Sequence, residues 1–275
     1  MTVSVIVPAH NEAAVLPRLL RALHGADLEV IVVCNGCTDD TAKVARRWPG
    51  VRVEEITEAS KAAALRRGDE VAGFGTRAYV DADVVISGRD VGRLAAAVEA
   101  GEALAVGPER RFDQTGVGWP VRAYYRVWQA LPAVREGLFG RGVLVVGPAG
   151  RARVAGLPPM MSDDLVLSEA FGAAERRVVP GTRVTIWPPK QVADLRRRRA
   201  RVVVGNAQAD RAGVRSAAAR TTPATLAGVV RRDRRLIGPM AVFLALTVDA
   251  RWRARRQVRR GDFTTWLRDE SSRAA

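Results

Sequence analysis

The 275-residue chain is predicted to adopt an α/β fold, with a mostly parallel central sheet, helices on both faces and a basic helical C-terminal tail. Short apolar runs rich in Val and Ile alternate with helical segments over the first third of the chain, at the spacing of βαβ units. The basic residues are concentrated later: between residues 196 and 260, 18 Arg stand against three acidic residues. The first observation predicts the sheet, and the second predicts the basic tail.

The first third of the chain is predicted to hold four strands and three helices. The strand segments are apolar throughout, which is typical of strands buried on both faces. Pro17 suits the first turn of a helix and Gly25 suits its end. The predicted strands cover 2–9, 28–35, 51–56 and 76–86, and the helices cover 16–25, 38–50 and 60–73.

Beyond residue 87 the alternation is less regular. Apolar periodicity there predicts helices over 89–101, 119–134 and 162–172, a strand over 103–112, a strand, turn and helix start over 137–154, and a strand pair over 177–189. The apolar run at 236–248 lies between Arg clusters and is too short to span a bilayer, which needs about 20 residues. It is either a core helix or a helix lying in an anionic membrane surface.

Composition limits the class of protein. The formal net charge is +15, but only three of the 44 basic residues are Lys, and aromatic residues make up 5%. No stacking platform for bases is visible, so we expect no nucleic-acid partner. With two cysteines and no secretory leader, the chain is expected to be cytoplasmic, with peripheral attachment to the inner face of the cell membrane left open.

The two cysteines, Cys34 and Cys37, form a C-x-x-C pair. A structural zinc site needs a second pair of ligands. A redox pair is expected at the start of a helix, whereas Cys34 ends a predicted strand. We therefore expect neither chemistry here.

Two acids end the fourth predicted strand, Asp81 and Asp83. Residues i and i+2 of an extended chain point to the same side, so both carboxylates could face one Mg²⁺ or Mn²⁺. A solvated turn is the alternative. Two acids beside an apolar strand are costly unless they are paired or bound to metal, which favours the metal site.

Five stretches together resemble the family 2 inverting glycosyltransferases, which use nucleotide-diphosphate sugars and have the GT-A fold. They occur in the family's order, and the first four cover residues 3–86: VSVIVPAHNEAAVLPRLLRAL, VIVVCNGCTDDTAKVA, SKAAALRRG, AYVDADVV and MMSDDLVLSEAF. The resemblance implies a catalytic domain over 1–205, with a nucleotide-sugar half at 1–115 and an acceptor half at 116–205. The basic region at 206–275 would follow it.

The resemblance also implies a site. Asp83 would bind the metal, Mn²⁺ or Mg²⁺, with Asp81 nearer the ribose and the metal waters, and Asp164 would be the catalytic base. The alternative interpretation of Asp163 and Asp164 is that they form the acidic first turn of a helix and stabilise its dipole. The implied donor-binding residues are Pro8, Ala9, Glu12, Asn35, Lys61, Asp81 and Ala82; Asp163, Arg198 and Arg201 could contact the diphosphate or the acceptor.

Two departures from the family pattern matter. Asn35 stands where relatives carry an Asp that accepts from uracil. The late Q-x-x-R-W motif of processive members is represented only by Arg201, which argues for a single transfer. The implied function is metal-dependent transfer of a hexosyl or N-acetylhexosaminyl group to a hydroxyl of a lipid-linked or small-molecule acceptor. A UDP-sugar is the first candidate for the donor. The alternatives are a sugar nucleotidyltransferase, or a non-catalytic basic protein that binds membrane or nucleic acid.

Overall fold

The computed structural model describes residues 3–158 and 160–261. The first half of the chain alternates strands and helices as expected: β1 (Val3–Ala9), α1 (Leu16–Leu23), β2 (Glu29–Asn35), α2 (Thr41–Ala45), β3 (Val51–Ile56), α3 (Lys61–Val71), β4 (Thr76–Val80), β5 (Val84–Ile86) and α4 (Gly88–Glu99). The remainder comprises β6 (Ala105–Phe112), α5 (Trp119–Ala130), α6 (Pro132–Glu136), β7 (Val143–Val146), α7 (Pro148–Ala155), α8 (Asp163–Glu169), β8 (Arg176–Ile186), α9 (Val192–Arg211), α10 (Pro223–Arg232) and α11 (Ile237–Arg260).

All eight strands of the described residues form one sheet, in the order β3-β2-β1-β4-β7-β6-β8-β5. The four strands β3, β2, β1 and β4 run parallel, as the βαβ pattern predicts. Beyond β4 the sheet is mixed, because β7 runs antiparallel to β4 and β6, and β5 runs antiparallel to β8. The predicted α/β fold is confirmed.

Four predicted elements differ from the structure. The helix over 38–50 covers only Thr41–Ala45, since residues 46–50 form turns and a bend. The strand over 76–86 is broken into β4 and β5, because β4 pairs with β1 and β7 whereas β5 pairs with β8. The helix over 119–134 ends at Ala130, because Pro132 cannot continue the hydrogen-bond ladder and begins α6. The strand pair over 177–189 is one irregular strand, β8, whose Gly181 has φ +74°.

The two largest hydrophobic clusters of the described residues stabilise the elements around the site. The strands β1, β2 and β4 are almost wholly buried and pack against α1, α3 and α4. A second apolar cluster joins α5 and α11 and includes buried Tyr124, Leu195 and Phe243. Burial of each such side chain contributes about 1.5–3 kcal/mol, so both clusters hold the elements that border the site.

The tail is joined to the rest of the protein by this second core. The helix α9 continues through the boundary predicted between residues 205 and 206, and residues 262–275 of the predicted tail lie outside the described residues. The apolar run belongs to the longer helix α11, which buries Met240, Phe243 and Leu246 on one face, as the core interpretation predicts, and exposes other apolar residues on the opposite face. Within the described part of the chain, no helix has the length and apolarity needed to cross a bilayer.

Candidate active site

The candidate site lies where the parallel strands β1, β2 and β4 end. Ligands of open parallel sheets bind outside the carboxyl ends of the strands. Pro8 and Ala9 are the last residues of β1, Asn35 ends β2, and Asp81 follows β4 directly. A small pocket brings together Pro8, Lys61, Asp81 and Asp164, which are distant in sequence.

The loops that follow β1 and β2 are bound to each other. Asn11, in the left-handed region at φ 53°, accepts from the backbone N–H of Thr38 at 2.8 Å and donates to the Thr38 hydroxyl at 3.1 Å. The backbone N–H of buried Glu12 donates to Thr41 Oγ1 at 2.8 Å. These bonds hold the two loops in a fixed arrangement.

Asn35 is buried, and its orientation can be assigned from its partners. Its side-chain Nδ2 donates to the backbone carbonyl of Ala9 at 3.0 Å. The backbone carbonyl oxygen of Asn35 lies 2.6 Å from His10 Nδ1. Because only the amide nitrogen can donate to a carbonyl, Oδ1 is the acceptor that remains for a ligand. An acceptor is also what the Asp of relatives would offer, here without its charge.

We expect Asn35→Asp to lower the free energy of unfolding at pH 7 by about 1–3 kcal/mol, because a buried carboxylate would face the Ala9 carbonyl without a proton to donate. The pKa of the new carboxyl would be raised in the folded state above its unfolded value of roughly 3.9. Stability is therefore retained at low pH and lost as the pH rises. Urea unfolding at pH 4 and pH 7 measures both values.

Asn11→Asp is the matched control for this prediction. Its donor contact is with the Thr38 hydroxyl, which can reverse its role and donate to a carboxylate. A much smaller, nearly pH-independent loss is expected. Equal losses in the two variants at both pH values would contradict the assigned orientation of Asn35.

The two cysteines pack between these loops. Burial raises the pKa of the Cys34 thiol to about 12, and Cys37 Sγ lies 3.3 Å from the Ala9 carbonyl. A thiol with such a pKa is protonated at neutral pH and is a poor nucleophile or metal ligand.

Asp81 and Asp83 do not lie on one extended strand, which corrects the geometric argument made from their spacing. Residues 81–83 form the turn between β4 and β5. The backbone N–H of Asp81 donates to the carbonyl of Gly142 at 2.8 Å. The two acids therefore lie beyond the carboxyl end of β4, and the turn sets the direction of their side chains.

Lys61, the first residue of α3, connects the end of β4 to the start of α8. Its Nζ lies 2.6 Å from Asp81 Oδ1 and 2.6 Å from Asp163 Oδ2. Burial disfavours its charge, but Asp163 and Asp81 outweigh that effect and raise the pKa of the Lys61 ammonium well above its ordinary value. Lys61 is therefore a permanent cation at this position.

Asp164 lies beside this ion pair. Its Oδ2 accepts from the backbone N–H of Gly140 at 2.8 Å, and its Oδ1 accepts from that of Leu165 at 2.8 Å. Burial and the charge of Asp163 raise the pKa of the Asp164 carboxyl, although the Gly140 bond and Lys61 act in the opposite direction. The Ser162 side chain makes no capping bond, and Asp163 and Asp164 form the acidic first turn of α8.

The acid set suits a divalent cation. The carboxylates of Asp81 and Asp163 share the Lys61 ammonium, and Asp164 lies close enough to feel the charges of both Asp163 and Lys61. Mg²⁺ and Mn²⁺ prefer such oxygen ligands and commonly use one or two carboxylates, with waters and substrate phosphates completing the shell. Asp83 and Asp81 could supply these two. Within residues 3–158 and 160–261, no group of three or more His, Cys, Asp or Glu forms a ready metal cage.

A cavity of about 630 Å³ lies on the other side of Asp164. Its wall is formed mainly by α5, α9, α11 and the segment before α10. Arg198 belongs to this wall, as a contact with the acceptor would require, whereas Arg201 is not among the described residues that line it. A space of this size beside a carboxylate can hold a second substrate.

Several site residues have no counterpart among the sequence predictions. Gly140 binds Asp164, and Gly142 holds Asp81 and has φ +65°. A Cβ at Gly142 would lie 2.7 Å from a Val84 methyl carbon and 3.1 Å from Asp81 Oδ2, so only Gly fits there. The G-R-G sequence at 140–142 was the available signal.

The sequence of this chain matches a known protein family. A family model described as Glycosyl transferase family 2 matches residues 4–151, more than half of the chain. The chain belongs to glycosyltransferase family 2. An uncharacterised glycosyltransferase of Mycobacterium tuberculosis (strain H37Rv) is 35% identical over 118 residues, which are 43% of this family 2 chain and 52% of that protein. The chain thus spans about half the length of the curated relatives it matches.

Solved structures show the same fold. A mannosyltransferase from Pyrobaculum calidifontis, in complex with GDP-Man and Mn²⁺, superposes with a TM-score of 0.60 at 20% identity, over 92% of this family 2 chain and 75% of that chain. Glucosyl-3-phosphoglycerate synthase from Mycobacterium tuberculosis, with Mn²⁺ and UDP-glucose, gives 0.54 at 20% identity, over 78% and 80%. The predicted GT-A fold is confirmed.

Proposed function

We propose that the protein is a metal-dependent inverting glycosyltransferase that moves one sugar from a nucleotide-diphosphate sugar to an acceptor hydroxyl. The observation that carries this proposal is the cluster of Lys61, Asp81, Asp163 and Asp164. The cluster lies between the loops that follow β1 and β2 and the large cavity. It supplies a cation, candidate metal ligands and a base where donor and acceptor would meet.

The donor half would bind the nucleoside between the loops after β1 and β2. Pro8, Ala9 and Glu12 would line one side, and Asn35 Oδ1 would accept from a ring N–H of the base. A UDP-sugar is the first candidate, because uracil offers such an N–H. The structural neighbours with UDP-glucose and GDP-Man show that both nucleotides occur on this fold.

Asp83 and Asp81 would hold Mn²⁺ or Mg²⁺, with Ala82 beside the donor. When bound, the metal neutralises negative charge that develops on the departing diphosphate. Lys61 is placed to stabilise the same charge from the protein side, and its ion pair with Asp163 fixes its position.

Asp164 would remove the proton of the acceptor hydroxyl. The acceptor oxygen forms a bond to the anomeric carbon while the bond to the diphosphate oxygen breaks, and the diphosphate leaves with the electron pair. General base catalysis of this kind contributes typically about 100- to 10,000-fold. A raised pKa makes the carboxylate a stronger base than an ordinary Asp, and one in-line displacement inverts the anomeric configuration.

The stereochemistry of the product tests this mechanism. With an α-linked donor such as UDP-glucose, we expect ¹H NMR during turnover to show a β-linked product, or β-glucose first where water is the acceptor. A product of retained configuration would contradict a single displacement with Asp164 as base.

A further inference from the structure

The helix α11 is apolar on both sides over most of its length. Between Ile237 and Ala250 its only charged residue is Asp249, which pairs with Arg196 and Arg253. One side of the helix packs on the second core through buried residues such as Phe243. The other side faces outward, although a helix that is apolar all round is expected to be covered on every side.

An exposed apolar stripe follows this outward side of α11. Its members are related by steps of three and four residues, which is the spacing of one helical face, and they extend over about four turns. The four large side chains among them are between 44% and 66% exposed. This outer stripe consists of Ile237, Ala241, Leu244, Ala245, Val248 and Trp252. Single apolar residues on a surface are ordinary, whereas a contiguous group marks a surface that binds a partner or a membrane.

Arginines lie at both ends of the outer stripe. All ten arginines between residues 231 and 260 are exposed, four before the stripe and six from residue 251 onward. Arg255 and Arg259 continue the line of the stripe, three and seven residues after Trp252. The sequence has only two acids in the same range, and both are engaged: Asp233 accepts from a backbone N–H, and Asp249 binds two arginines. The outer stripe is therefore flanked by a large excess of positive charge.

Charge and apolarity together select among the surfaces that could cover the outer stripe. A second copy of the chain would bring basic ends against basic ends, whether the two α11 helices ran parallel or antiparallel, and such like-charge contacts are costly. A nucleic acid would match the arginines but leave the apolar side chains without a partner. An anionic membrane surface suits both, because its phosphates attract the arginines and its acyl chains receive the apolar side chains.

We propose that α11 docks the protein on an anionic membrane surface, with the outer stripe inserted at the boundary between headgroups and acyl chains and the flanking arginines at the lipid phosphates. The helix would lie along the membrane surface, because its opposite face is bound to the second core. The docking requires neither donor nor acceptor, so it goes beyond the proposed function and is tested separately from it.

Cosedimentation of the wild-type protein with lipid vesicles tests the proposal. Vesicles of phosphatidylcholine mixed with phosphatidylglycerol are expected to bind the protein at least about tenfold more tightly than vesicles of phosphatidylcholine alone, since several arginines contribute. High salt should weaken this binding without abolishing it, because salt screens the charges and not the apolar contacts. Absence of binding to the mixed vesicles, or equal binding to both compositions, would overturn an anionic docking surface.

Matched aromatic variants test the outer stripe itself. Trp252→Gln is expected to weaken binding to the mixed vesicles about tenfold or more, because a large apolar side chain no longer enters the membrane. The side chain of Trp252 is exposed, so the fold should be unaffected, which thermal unfolding checks. Phe74→Gln removes an exposed aromatic side chain at the amino end of β4, outside α11, and should leave vesicle binding unchanged. Equal losses in the two variants would overturn the role of the outer stripe.

Charge variants and the oligomeric state complete the test. Arg255→Gln combined with Arg259→Gln is expected to weaken binding to the mixed vesicles about tenfold or more. Arg21→Gln combined with Arg47→Gln removes the same charge from exposed positions outside α11 and should have a much smaller effect. Equal effects would mean that net charge governs binding and would overturn the assignment to α11. Light scattering without vesicles should show a monomer, and a dimer that Trp252→Gln dissociates would assign the outer stripe to a second copy instead.

Discussion

Asp164→Asn is expected to reduce transfer by about 100- to 10,000-fold while donor affinity changes little. The amide oxygen can still accept from the Gly140 N–H, so the side chain keeps that contact, and it loses its basicity together with the bond that Oδ1 accepts from the Leu165 N–H. Initial rates of sugar transfer, together with calorimetric donor binding, measure the two effects separately. Loss of donor binding in step with transfer would remove Asp164 from the role of base.

Asp163→Asn is the informative comparison, because it changes the adjacent residue but acts on the other side of the site. It removes one of the two carboxylates that hold Lys61, so donor binding is expected to weaken.

The wild-type rate should also fall as the pH drops through the pKa of Asp164, which burial and Asp163 raise above that of an ordinary Asp. The residual activity of Asp164→Asn should not show this fall in rate at low pH.

Asp83→Ala is expected to weaken Mn²⁺-dependent donor binding by at least about 100-fold. Loss of an outer-shell partner of a metal ligand already costs 10- to 100-fold, and removal of a direct ligand costs more. Asp113→Ala is the control: it is also an acid directly after a strand, β6, but it accepts from the Thr115 N–H, outside the candidate metal site. Equal effects of the two substitutions would exclude Asp83 as the metal ligand.

The parallel half of the fold was predictable because its signals are local. Runs such as the one in β1 are buried on both faces and alternate with helices, so the succession of elements and the parallel direction of these strands follow from the sequence. The site residues at strand ends follow from the same topology. Pro8, Asn35 and Asp81 are adjacent because parallel strands end at one edge.

The remaining features depend on contacts between distant parts of the chain. The turn at Asp81–Asp83 exists because β5 pairs with β8, about 100 residues later, and no local signal carries that pairing. The ion pair of Lys61 with Asp163 likewise joins residues about 100 positions apart. The cavity is formed by packing α5, α9 and α11, whose sequences show only that each is amphipathic or basic.

Binding of nucleotide sugars to the wild-type protein, with and without Mn²⁺, tests the central claim most directly. We predict that calorimetric titration with UDP-glucose, UDP-N-acetylglucosamine and GDP-mannose shows binding of at least one donor in the presence of Mn²⁺. Chelation of the metal should abolish that binding or weaken it by at least about 100-fold, to the level of Asp83→Ala. Binding of no nucleotide sugar, or binding that is the same with and without the metal, would contradict a metal-dependent glycosyltransferase.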